Sequence, residues 1–151
     1  MLKDVTGTAI AIDGRAVLLR GPSGSGKSDL AFRSVTQEGA LLVGDDHVDL
    51  DVQAGQLIVS PKPGWAGKLE LRGLGIVLLP ALEQAPLCLV VNLIAREKVP
   101  RLPEPAFDLF EGCRIPRLQL HAFDISSPAK LRVALGSWPD NGFPGDDGQI
   151  N

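Results

Sequence analysis

The glycine-rich stretch at residues 21–28 is the part of the sequence whose residue types and spacing indicate a definite chemistry. Its order, Gly-Pro-Ser-Gly-Ser-Gly-Lys-Ser, fits the phosphate-loop pattern G-x-x-x-x-G-K-[ST] at every fixed position. Glycines let successive backbone N–H groups turn toward one anion, and the helix that follows presents its N-terminus to the same phosphates. Lys27 can reach the terminal phosphate oxygens, and the Ser28 hydroxyl can ligate Mg²⁺. The pattern therefore predicts a site for ATP and Mg²⁺. Its eight residues are Gly21, Pro22, Ser23, Gly24, Ser25, Gly26, Lys27 and Ser28.

Two adjacent carboxylates, Asp45 and Asp46, follow the apolar run 41–43. In phosphate-loop folds, a carboxylate that ends a neighbouring strand meets the metal ion. Neighbouring side chains on an extended chain point to opposite faces, so one aspartate can serve metal or substrate while the other is structural. A solvated Asp-Asp turn is the alternative interpretation. His47 either extends this site or is a surface residue.

A phosphate loop requires a strand before it and a helix after it, and the sequence predicts both. Residues 15–20 are typical of a strand, and the apolar spacing from Lys27 to about Gly39 predicts an amphipathic helix. The fold class is therefore α/β, a phosphate-loop (Walker A) nucleotide-binding domain with a mixed β-sheet. Further strands are predicted at 8–12, 41–43, 48–52, 57–59, 87–94 and 115–120, a connector at 95–105 and a second helix at 127–135.

Length and composition indicate one ordinary domain. The chain has 151 residues and a net charge of -3, which favours no nucleic-acid partner. The apolar run around Cys88 predicts a buried free thiol. No apolar run approaches the roughly 20 residues that span a bilayer, so we expect a cytoplasmic protein without a membrane partner. Residues 1–136 are predicted to form the domain, and the proline- and glycine-rich residues 137–151 a disordered tail.

Three segments in this order resemble the catalytic domain of HPr kinase/phosphorylase, the bacterial sensor enzyme of the phosphotransferase system. They are the phosphate loop, residues 43–50 and residues 67–76. The last segment carries the pattern L-E-x-R-G-x-G-I, which is much more specific to the family than the phosphate loop. The resemblance covers about residues 5–135 and indicates the short form that consists of the catalytic domain only. It implies an ATP-dependent serine kinase that acts on a small HPr-like phosphocarrier protein.

The resemblance also implies roles for individual residues. Lys27 would bind phosphate and Ser28 would bind Mg²⁺, with Glu70 as the second metal-binding carboxylate. The pair Asp45 and Asp46 would supply the base that takes the proton from the serine hydroxyl, and the acid in the reverse reaction.

Arginines near this site have two interpretations each. By resemblance, Arg101 matches an arginine expected near the phosphates, and the alternative is an exposed connector arginine. Glu70 and Arg72 are two apart, so on a strand they would share a face. They would form an ion pair against a phosphate, or a surface pair.

Trp65 either covers the site or packs on the core, and core packing is favoured.

Two positions depart from the family pattern. The family usually has a histidine before a glycine about 15 residues ahead of the phosphate loop, and Thr6 stands there. Residues 121–126 stand where full-length enzymes carry a basic, glycine-containing loop that is tied to phosphorolysis. We therefore expect a kinase with doubtful phosphorylase activity. The alternatives are a non-enzymatic nucleotide-sensing regulatory module and a small-molecule kinase. Full-length relatives are hexameric, which leaves a homo-oligomer open.

Overall fold

The computed structural model of the chain describes residues 1–138, 140 and 142–144. Within these residues, strands alternate with two α-helices and a short 3-10 turn at Arg96–Lys98. The elements are β1 Leu2–Thr6, β2 Thr8–Ile12, β3 Arg15–Arg20, α1 Lys27–Glu38, β4 Leu41–Gly44, β5 His47–Gln53, β6 Gln56–Pro61, β7 Lys68–Leu71, β8 Gly75–Leu78, β9 Ala85–Leu93, β10 Phe107–Phe110, β11 Cys113–Leu120 and α2 Ser127–Leu135.

The strands form a mixed sheet around β9, as the sequence predicted. β3 and β11 both pair with β9 in parallel, while β2 is antiparallel to β3 and β4 is antiparallel to β2. The order β4-β2-β3-β9-β11 therefore places β4 and β11 on opposite sides of β3. β6 pairs with the first two residues of β9 and extends the sheet through β5 to β1. β7 and β8 form a separate two-stranded sheet.

The alternating side chains of β3 explain why the sheet is covered on both faces. Val17 and Leu19 belong to a core that includes Leu30 of α1 and Leu131 of α2. Leu18, which points to the opposite face, belongs to a second core with residues of β5 and β6. The strand that leads into the phosphate loop is thus fixed from both faces, which gives the loop a rigid base.

The two cysteines are free thiols and half-buried. Burial raises the pKa of the Cys88 thiol above its usual value. Neither described helix has the length and the apolar composition needed to cross a bilayer.

The described part of the C-terminal segment packs against β10. Phe143 is 3% exposed, and its ring meets the edge of the Phe107 ring at a centroid distance of 5.8 Å. The Trp138 ring meets Phe107 in the same way at 5.6 Å. Disorder was predicted for 137–151, whereas Trp138 and Phe143 pack on Phe107. The composition of the segment did not reveal this apolar partner. Residues 139, 141 and 145–151 of the predicted tail lie outside the described residues.

Candidate functional site

The phosphate loop connects β3 to α1, as predicted. Gly24 and Gly26 have φ angles of 83° and 98°, in the left-handed region that glycine adopts without strain. Helix α1 begins at Lys27, so its free N–H groups face the loop. The Lys27 Nζ atom donates hydrogen bonds to the carbonyls of Gly21 at 2.5 Å and Pro22 at 3.2 Å. The ammonium group therefore lies over the same loop that would hold the phosphates.

Asp45 joins the phosphate loop to the neighbouring strands. It lies directly after β4 and is 9% exposed. Its Oδ1 atom accepts hydrogen bonds from Ser28 Oγ at 2.8 Å and from Thr8 Oγ1 at 3.0 Å. Its Oδ2 atom accepts one from the backbone N–H of Glu70 at 3.2 Å. An ionised carboxylate has about four acceptor positions, so these bonds leave about one free.

Asp46, unlike Asp45, lies at the surface. It has a φ angle of 68°, and its side chain is 71% exposed. Its Oδ2 atom lies 3.4 Å from Nε2 of His47. The Nδ1 atom of His47 is buried and has no hydrogen-bond partner among the described residues. The pair thus consists of one enclosed carboxylate and one at the surface.

A cavity of about 190 Å³ opens beside these aspartates. Its lining residues are Asp45, Asp46, His47, Lys62, Trp65 and Glu70. Three of the six are carboxylates and one is a lysine, so the wall is predominantly acidic. Trp65 is half-buried and borders this cavity, whereas the sequence favoured a position in the core.

The residues predicted to bind Mg²⁺ fit such an ion in their chemistry. Ser28 contributes a hydroxyl oxygen next to the Asp45 carboxylate, and Glu70 lies on β7 with its amide bonded to that same carboxylate. Mg²⁺ prefers oxygen ligands and is commonly held by one or two carboxylates together with substrate phosphates. Within the described ranges, no group of three or more His, Cys, Asp or Glu side chains forms a metal cage. The oxygens present suit a metal ion that arrives with its nucleotide.

The two candidate arginines are not brought into this cluster by any contact. Arg101 is exposed in the connector and makes no hydrogen bond or ion pair with the part of the chain that the structure describes. Arg72 lies in the turn after β7, which ends at Leu71, so the expectation that it shares a strand face with Glu70 is wrong. No ion pair joins Glu70 and Arg72 in the described structure.

Thr8 is a site residue that the sequence analysis missed. Its hydroxyl donates to Asp45 Oδ1 and accepts a hydrogen bond from the backbone N–H of Asp46 at 3.3 Å. It thus fixes both aspartates from β2, where it is fully buried. The available signal was a hydroxyl at the start of the otherwise apolar strand Thr-Ala-Ile-Ala-Ile.

The fold and the loop define a phosphate-loop nucleotide-binding domain. A family model described as the HPr Serine kinase C-terminal domain matches residues 2–98, and the chain belongs to that family. The resemblance found in the sequence is thereby confirmed, although the match ends before Arg101 and before residues 121–126.

Individual relatives agree with this assignment. The chain is 41% identical over 76 residues to the HPr kinase/phosphorylase of Clostridium tetani. This alignment covers 50% of this chain and 25% of that protein. The chain is 42% identical over 76 residues to the HPr kinase/phosphorylase of Lacticaseibacillus casei, covering 50% and 24%. The alignments thus span about a quarter of the length of these relatives. The structure of the HPr(Ser) kinase/phosphatase from Coxiella burnetii matches with a TM-score of 0.74 and 25% identity, covering 85% of this chain and 87% of that one.

Proposed function

We propose that the domain transfers the terminal phosphate of Mg²⁺-bound ATP to a serine hydroxyl of a small HPr-like phosphocarrier protein. The observation that carries the proposal is the bond between Ser28 and Asp45, because it joins the phosphate loop to an open cavity. A phosphate donor on the loop and an acceptor hydroxyl in the cavity would then meet at one carboxylate. The names of the relatives, HPr kinase/phosphorylase, supply the class of acceptor.

The phosphates would be held by the loop amides and by Lys27. Lys27 would exchange its bonds to two loop carbonyls for bonds to phosphate oxygens, which are stronger because both partners are charged. Ser28 and Glu70 would hold Mg²⁺, which neutralises charge on the phosphates when it is bound. Most of the catalysis would come from this positioning and charge stabilisation.

Asp45 is the better placed of the two aspartates to act as the base. It adjoins Ser28, borders the cavity and retains about one free acceptor position for an incoming hydroxyl. As the serine oxygen bonds to the terminal phosphorus, the bond from phosphorus to the oxygen of the leaving ADP breaks. The hydroxyl proton passes to Asp45. Asp46, at the exposed rim, would help to position the carrier.

The acidic wall of the cavity supports a kinase with weak phosphorolysis. Inorganic phosphate would have to enter beside a phosphoserine and three carboxylates, with Lys62 as the cation that borders the cavity. His47 also borders this cavity. It lies opposite Thr6 in the β1–β5 pairing, so it stands on the strand next to the position at which the family usually has a histidine. One lysine offsets the acidic wall only in part. The reaction also implies a cytoplasmic location, where ATP and the carrier are found.

The test is phosphate transfer from labelled ATP to an HPr-like carrier, with the modified residue mapped. Transfer to a serine is expected with the wild-type chain and with Lys130→Ala, which removes an exposed lysine of α2. Lys27→Ala should abolish transfer and weaken ATP binding. ATP binding without transfer to any carrier would instead favour a nucleotide-sensing module, and ATP consumption driven by a small molecule would favour a small-molecule kinase.

A further inference from the structure

An exposed aromatic ring lies against the phosphate loop on the side away from the aspartates. Phe123 follows β11 and is 54% exposed. A Cβ atom at Gly26 would lie 2.9 Å from Cζ of Phe123 and 2.6 Å from Cβ of Ala122. The ring is therefore in van der Waals range of the last loop glycine, while about half of its surface faces solvent.

The segment that carries this ring is fixed from several directions. Arg33 of α1 donates hydrogen bonds to two backbone carbonyls of residues 121–124. Arg96 pairs with the Asp124 carboxylate at 2.6 Å. Nδ1 of His121 lies 2.9 Å from the carbonyl oxygen of Ile94, directly after β9. The His121 ring meets the Phe123 ring edge-on at 5.7 Å. The aromatic surface is thus held in place before any ligand arrives, which lowers the entropic cost of binding to it.

The direction of a bound nucleotide follows from the two sides of the loop. Ser28 contacts Asp45, which follows β4, whereas Gly26 contacts the segment after β11. β4 and β11 lie on opposite sides of β3, from which the loop starts. For transfer, the terminal phosphate must point toward Asp45. The nucleoside must then leave the loop on the other side, where Phe123 lies.

We propose that Phe123 is the stacking platform for the base of the nucleotide, an inference that rests on the proposed function. Every base has a π-face, and stacking on an aromatic side chain contributes about 1–3 kcal/mol per base, or roughly 5- to 150-fold in affinity. The stacking energy depends on the area of the base more than on its hydrogen-bonding edge. Purine nucleotides therefore bind more tightly than pyrimidine nucleotides at this platform.

The experiment compares the binding of Mg²⁺-ATP and Mg²⁺-tripolyphosphate to the full chain by calorimetry. Tripolyphosphate carries the phosphates without a base. Phe123→Ala should weaken ATP binding about tenfold, within the range for one stacked base, and change tripolyphosphate affinity less than about twofold. Phe123→Trp should retain ATP affinity. The matched control Ile125→Ala, at a side chain that is 94% exposed in the same segment, should alter neither ligand.

Three outcomes overturn the inference. Unchanged ATP affinity in Phe123→Ala shows that the base does not stack there. An equal loss for ATP and tripolyphosphate shows that the ring only supports the loop at Gly26. Failure of Phe123→Trp to retain ATP affinity, with an unchanged melting temperature, shows that an aromatic face is not what the site uses. If the wild-type chain bound neither ligand, the proposed function would fall as well, so the two failures are distinguishable.

Discussion

Replacing Asp45 by asparagine tests whether one charged side chain holds the site together. The carboxylate accepts hydrogen bonds from Ser28, Thr8 and the Glu70 amide at 2.8, 3.0 and 3.2 Å. Asparagine has one acceptor oxygen and one NH₂ group. The two hydroxyls can rotate to accept from NH₂, whereas the Glu70 amide can only donate. The variant can therefore keep three bonds, but all of them become neutral.

The loss of charge sets the size of the effect. A hydrogen bond to a charged group contributes about 1.5–3 kcal/mol and a neutral one about 0.5–1.5 kcal/mol. Each of the three bonds loses about 1 kcal/mol. Asparagine also avoids the desolvation penalty of an enclosed charge, which offsets part of this loss, so the net loss of stability is about 2 kcal/mol. For a chain of this size, that lowers the melting temperature by about 4–8 °C. Transfer should fall by at least about 100-fold, since the proton acceptor is lost.

The neighbouring residue provides a matched control. Asp46→Asn makes the same chemical change at a side chain that is 71% exposed and contacts His47 at 3.4 Å. Its unfolding free energy should stay within about 0.5 kcal/mol of the wild type. Urea unfolding and labelled-ATP transfer measure both quantities for both variants. Equal destabilisation by the two variants, or a stable and active Asp45→Asn chain, would refute the reasoning.

Four further outcomes are expected. Glu70→Gln should raise the Mg²⁺ concentration needed for transfer without lowering the melting temperature; an unchanged Mg²⁺ titration would make Glu70 a surface carboxylate. Phe143→Ala should cost about 3 kcal/mol in thermal unfolding because the ring is 3% exposed, whereas Leu109→Ala, 73% exposed on β10, should cost little. Phosphorylated carrier incubated with inorganic phosphate should release pyrophosphate much more slowly than the forward transfer, and equal rates would contradict the role given to the acidic cavity. Iodoacetamide should alkylate Cys88 more slowly than free cysteine at pH 8, because burial raises the pKa of this thiol and keeps it protonated; labelling at the free-cysteine rate would contradict that burial.

Local patterns predicted the parts of the site that adjacent residues determine. The phosphate loop and the start of α1 at Lys27 follow from glycines and apolar spacing within one stretch of chain. The hydrogen bond from Thr8 to Asp45 joins residues that are 37 apart in the sequence, and no sequence pattern around either residue indicates it. Contacts of that kind depend on how β2 and β4 pair.

Strand boundaries were harder to predict, for a related reason. β1 is largely exposed, so it shows little apolar alternation and is held by pairing with β5. β10 follows a proline-rich connector, which masked its short apolar pattern. Arg72 was expected on a strand, but the chain turns there, and Gly73 has a φ angle of 94°. A rule about strand faces holds only where the strand continues, and the point at which it stops was not visible locally.

The separate pairing of β7 and β8 has a consequence for amide hydrogen exchange. β9 is bonded to β3, β11 and β6, so its amide protons should exchange only when the whole domain unfolds. The β7–β8 hairpin is bonded to itself and exposes Ile76 and Leu78, so it should open in smaller, more frequent events. Glu70 lies on that hairpin and is tied to the rest by its amide bond to Asp45. The carboxylate proposed for the metal therefore belongs to a unit that should open more readily than β9, and the exchange protection of this unit should rise when Mg²⁺ and ATP bind.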